Sequence, residues 1–142
     1  MSGVGSLSAP EFVTSRIEQK ALLLHIDKIV GILLGMGFRK VDAEYGWGCN
    51  LPEDARWKRH PVSLDSLNEF VMGAAAAGVF RPGSSDLFIV DSEAQFHILI
   101  CHESDIHLRA TDPDLVGRFL ELWKSEGIEV NTLAEDGEWK AV

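Results

Sequence analysis

The stretch Asp86 to Ala110, DLFIVDSEAQFHILICHESDIHLRA, constrains the fold more than any other part of the chain. Three short apolar-rich runs are separated by polar, turn-forming residues. Side chains in a strand point alternately to opposite sides, so each run carries two distinct faces. Runs of this kind joined by tight turns predict an antiparallel meander. In the middle run Phe96, Ile98 and Ile100 share one face, while His97, Leu99 and Cys101 share the other. A three-residue loop, Glu103–Ser104–Asp105 with Asp105 in the left-handed position, sets Ile100 against Leu108 and Ile98 against Ala110. A two-residue loop would set Ile100 against Arg109, so apolar pairing selects the longer one. In that register Cys101 and His107 are cross-strand neighbours, their Cβ atoms roughly 5 Å apart.

Helices flank the meander. Ser15 and Glu18 fit a capping box, and behind them Leu22, Ile26, Ile29, Leu33 and Met36 recur at helical spacing up to a stop at Gly35 or Gly37. Lys40–Tyr45 alternates with period two and reads as a strand. From Gly46 to Pro61 the regularity fails, and this long irregular segment holds Trp47 and Trp57. Ser63 or Ser66 opens a second helix that Gly78 closes. Asp112-Pro113-Asp114 places an acidic cap, a proline and a carboxylate at the start of a third helix, which Gly127 closes before a strand from Ile128 to Leu133. The order α-β-α-β-β-β-α-β predicts an α+β fold: a single domain over residues 15–133, with helices packed on one face of a mostly antiparallel sheet of about five strands. Residues 1–14 read as a flexible leader and residues 134–142 as an acidic tail.

Charge narrows the function. A chain of 142 residues is long enough to bury a core. Its net charge of −9 opposes nucleic-acid binding, which needs a dominant positive field, and suits a basic protein partner. No apolar run approaches the roughly 20 residues of a membrane span. Two cysteines in no spaced motif, and an N-terminal stretch without signal-peptide character, point to a reducing, cytoplasmic setting. The commonest hydrolase, nucleotide and dinucleotide signatures are absent, which lowers the expectation of an enzyme.

Two groups of residues are candidates for function. Trp47, Trp57, Arg56, Arg59 and His60 fall in or beside the irregular segment and offer aromatic and basic contacts to a partner or small ligand. The same basic run also reads as a solvated turn paired with the acidic surface around it. His97, Cys101 and His107 put thiol and imidazole on one sheet face, donors that suit zinc. Cys101 beside His107 also fits a cysteine nucleophile, although C-H-E-S-D-I-H lacks the commonest zinc spacings. The leading expectation is a non-enzymatic binding protein without a cofactor; the rival is a metal- or thiol-dependent enzyme centred on Cys101 and His107. A homodimer through the first helix, where Gly31 and Gly35 form a G-x-x-x-G pair, or through a strand edge is a third expectation.

In size, acidity and composition the chain is similar to the small orphan α+β proteins of bacterial mobile gene cassettes (integron cassette proteins). It also resembles immunity proteins that neutralise basic nuclease toxins. The resemblance is one of general character and assigns a role to no position.

Overall fold

The computed structural model describes residues 9–133 and 137–142. In chain order the elements are β1 (Glu11–Thr14), α1 (Gln19–Gly35), β2 (Lys40–Tyr45), β3 (Arg59–Ser63) and α2 (Leu64–Ala76). They continue as β4 (Leu87–Val90), β5 (Phe96–Ile100), β6 (Ile106–Ala110), α3 (Pro113–Ser125), β7 (Val130–Leu133) and β8 (Trp139–Ala141). The fold is α+β, with all eight strands in one antiparallel sheet of order β3-β2-β4-β5-β6-β1-β7-β8.

Among the described residues eight strands stand where about five were expected. Two of the additions lie where a leader and a tail were read: Glu11–Thr14 is β1, and Trp139–Ala141 is β8. Residues 1–8 and 134–136 of those two segments lie outside the described residues. β1 sits inside the sheet between β6 and β7, so its backbone groups are paired on both sides. The third addition, β3, takes the end of the irregular segment; Pro61 fits there because β3 is the edge strand of the sheet formed by the described residues.

The helix caps follow local chemistry with one exception. Ser63 Oγ accepts the Asp65 N–H at 3.2 Å, and Asp112 Oδ1 accepts the Asp114 N–H at 2.9 Å with Pro113 behind it. Gly37, Gly78 and Gly127 turn left-handed just past the three helices. The capping box of Ser15 and Glu18 is not formed; α1 begins after Glu18, with no side chain capping it. The Ser15 N–H instead bonds the Glu129 carbonyl at 2.7 Å and continues the β1 pairing.

One face of the sheet supplies the core. Val41, Ala43, Leu87, Ile89, Ile98, Ile100, Ile106 and Leu108 pack with Leu22, Ile26, Ile29 and Leu33 of α1, Leu67 and Val71 of α2, and Leu115, Phe119 and Trp123 of α3. Alternation then sends His97, Leu99, His107, Arg109, Glu11 and Val13 to the opposite side. His25 Nε2 approaches Glu126 at 3.4 Å, and Lys28 pairs with the same carboxylate, tying α1 to the end of α3. Gly31 of the G-x-x-x-G pair has open space where a Cβ would stand, while Gly35 faces the Arg118 guanidinium of α3, so no helix among the described residues of the chain crosses closely at the pair.

Candidate functional site

The meander pairs Ile100 with Ile106, Ile98 with Leu108 and Phe96 with Ala110. The expected register was two residues off. A shift of two keeps every side chain on its face, so apolar matching could not separate the two arrangements. The turn decides: Cys101 N–H bonds the Asp105 carbonyl at 2.9 Å, Ser104 N–H bonds the Cys101 carbonyl at 3.0 Å, and Ser104, not Asp105, takes the left-handed conformation. His107 therefore opposes Leu99 and lies diagonally from Cys101, on the same face.

That displacement gathers a polar cluster at one end of the sheet. The strand ends at Tyr45, Leu87, Ile100 and Ile106 lie side by side, so the residues just beyond them converge. His107 is held at both ring nitrogens, Nδ1 by Glu11 Oε2 at 3.1 Å and Nε2 by Asp105 Oδ1 at 2.9 Å. Burial alone would push its pKa down; hydrogen bonds with Asp105, Cys101 and Glu11 overcome this and raise it to about 11. The His107 contact in turn holds the Glu11 carboxyl below the usual carboxylate range against the opposing effect of burial. Cys101, Asp105 and His107 place one sulfur, one oxygen and one nitrogen within 4.8 Å of one another.

A second imidazole, that of His102, also approaches the thiol. His102 Nδ1 lies 2.8 Å from Asp86 Oδ1 and 3.7 Å from Cys101 Sγ, and the His102 backbone N–H donates to the same Asp86 oxygen at 2.8 Å. Trp47 packs on the His102 ring with centroids 4.5 Å apart. A concavity of about 340 Å³ opens beside Cys101, lined by Val13, Glu103, His107, Asn131 and Trp139 among others.

His97 does not join this group. It lies four residues before Cys101 on β5, roughly 13 Å along the strand, and faces Arg109. Its ring stacks on Phe88 at 5.4 Å, and Nε2 is buried without a hydrogen-bond partner among the described residues. Burial, aided by the Arg109 charge, pushes its pKa down to about 4.

The basic segment disperses rather than forming a clamp. Arg59 and His60 are successive residues of β3 and therefore face opposite sides of the sheet. Arg59 reaches Asp42 at 3.8 Å and Glu44 at 3.7 Å. His60 packs near Phe70 of α2, and Arg56 Nε donates to the Leu51 carbonyl at 3.2 Å. Trp57 turns back over the sheet onto Phe88, at 5.9 Å, with Gly46 beneath it. A Cβ at Gly46 would stand 2.6 Å from the Trp57 ring, so glycine is what lets the indole lie down there.

The sequence reading missed Glu11 because it missed β1, although Phe12, Val13 and Thr14 carry the β-branched and aromatic signature of a strand. Asp86 was noted only as the start of the meander stretch, and the sheet order is what places it beside His102. Among the described residues no helix is long and apolar enough to cross a membrane. In comparisons with protein families, with curated proteins and with solved structures, the chain matches none.

Proposed function

We propose that the chain is a non-enzymatic binding protein whose tryptophans anchor a partner protein. One observation carries this reading. Three of the four tryptophans stand at the surface, Trp47 at 55%, Trp57 at 42% and Trp139 at 51% exposure, while Trp123 is wholly buried. Large aromatics left in water forgo the burial that would otherwise stabilise the fold, and they dominate the energetics of protein interfaces. Trp47 and Trp57 are also held in place, on His102 and Phe88 respectively, so little freedom is lost when a partner covers them. The net charge of −9 favours a basic partner and steers its approach. This chemistry agrees with the general likeness to toxin-neutralising immunity proteins.

The thiol-enzyme rival draws less support from the geometry. A cysteine nucleophile needs an imidazole that accepts its proton while a third group orients the other ring nitrogen. His107 has both nitrogens engaged by carboxylates, and His102 turns the same nitrogen, Nδ1, toward both Asp86 and Cys101.

The reading is tested by cross-linking and affinity capture from the native cell extract, comparing the wild-type chain with a Trp47→Ala/Trp57→Ala double variant of preserved circular dichroism. A specific partner that is lost with the double variant and weakens with salt supports it. An unchanged set of captured proteins overturns it.

A further inference from the structure

We propose that Cys101, Asp105 and His107 form a zinc site, with Glu11 orienting the imidazole from behind. The three donors are thiol sulfur, carboxylate oxygen and imidazole nitrogen, a mixture that suits zinc among the divalent ions. They come from C-x-x-x-D-x-H, a short spacing that the five-residue turn folds back on itself. Zinc–ligand bonds of about 2.0–2.3 Å put the ligand atoms of one tetrahedral ion some 3–4 Å apart. The donor atoms here already lie within 4.8 Å of one another, so small side-chain rotations close the site.

The surroundings are those of a prepared site. Histidine ligands commonly donate their second ring N–H to a carboxylate, which fixes the tautomer and aims the ring. Glu11 stands in that position, 3.1 Å from His107 Nδ1, leaving Nε2 to face Asp105. The ion would stand between Nε2 and the Asp105 carboxylate, which now lie 2.9 Å apart. β1 and β6, which carry Glu11 and His107, are paired along their length, so outer carboxylate and ligand are fixed relative to each other. The three protein ligands leave a fourth position, and the 340 Å³ concavity beside Cys101 gives water or a small anion access to it.

A neighbouring group, Asp86, Cys101 and His102, shares the sulfur. It is the weaker site: the Asp86 oxygen is already spent on both the backbone N–H and Nδ1 of His102, and the nearest carboxylate to Nε2 is the exposed Glu103 at 3.8 Å. Because Cys101 belongs to both groups, the two histidines tell them apart.

The test uses the full chain purified without a metal-affinity column and stripped with a chelator. Zinc is titrated in competition with a chromophoric chelator, and cobalt(II) serves as the spectroscopic substitute. One equivalent of zinc is expected, with tetrahedral cobalt bands and a thiolate-to-cobalt charge-transfer band that Cys101→Ser abolishes. Glu11→Gln weakens zinc about 10–100-fold, His107→Gln removes stoichiometric binding, and His102→Asn leaves it unchanged. Should His107→Gln fail to fold, the wild-type cobalt spectrum and the Glu11→Gln affinity decide. No saturable binding by the folded wild type, or binding lost in His102→Asn yet kept in Glu11→Gln at full strength, overturns the proposal.

Discussion

Glu11 and His107 lie 96 positions apart in sequence and 3.1 Å apart in space, joined because β1 enters the sheet beside β6. Their contact ties the first described strand to the centre of the fold. Replacing Glu11 by Gln keeps the shape and removes the charge. A hydrogen bond to a charged group contributes roughly 1.5–3 kcal/mol, and this one is only partly buried. The expected loss is therefore about 1–2 kcal/mol, read from the midpoint of urea unfolding at constant slope.

His97 makes stability depend on pH. Its folded pKa of about 4 lies below the ordinary value of 6.5, so between those limits the unfolded chain binds the proton and the folded chain does not. Its contribution is complete above about pH 6.5 and declines as pH falls toward 4, by about 3 kcal/mol in all at 1.36 kcal/mol per pKa unit. Arg109 and Arg59 act in the same direction, and Glu11 opposes them. His97→Leu removes the group together with the unpartnered Nε2. Between pH 7 and 4.5 the variant should lose less stability than the wild type; parallel curves from chemical denaturation would contradict the assignment.

The two thiols should differ in reactivity. Cys49 is 1% exposed, its Sγ donates to the Asp86 carbonyl at 3.4 Å, and burial pushes its pKa up. Cys101 is also buried, at 5% exposure, but it lines an open concavity beside His107. Limited alkylation of the native chain followed by peptide mass spectrometry should find Cys101 labelled first. Equal labelling, or Cys49 leading, would mean that this end of the sheet is arranged differently.

Gly48 is held by sterics. Its φ is +78°, and a Cβ would stand 2.5 Å from the Ser84 carbonyl oxygen. Neither the conformation nor the backbone contact gives way cheaply, so Gly48→Ala should cost about 2 kcal/mol or more. Gly31→Ala is the control: it sits inside α1 with open space around it and should be neutral or stabilising by up to about 1 kcal/mol. Thermal unfolding of the two variants checks both signs.

The helices and the three meander strands were legible because periodicity and caps are local properties. Asp112-Pro113-Asp114 and Ser63 announce helix starts from side-chain chemistry alone, and both do so here. β1, β3 and β8 were missed for separate reasons: the strand signature of β1 is confined to three residues beside a polar stretch, Pro61 interrupts β3, and β8 takes its form from pairing with β7. The same limit hid part of the site. Cys101 and His107 were read together from alternation, which survives a register shift of two. Glu11 and Asp86 depend on strand order, which no local pattern encodes, and His97 was grouped with Cys101 on shared face alone, although distance along the strand separates them.

The place of β1 between β6 and β7 has a consequence for synthesis. The strand leaves the ribosome ahead of every other described element, yet the two edges that receive it are made about a hundred residues later. Until then its apolar side chains have only α1, α2 and β2–β5 for company, and β6 and β7 are joined only through β1. Such distant pairing slows folding and lengthens the exposure of unpaired strands. The seams on either side of β1 should therefore close only after β6 and β7 are free.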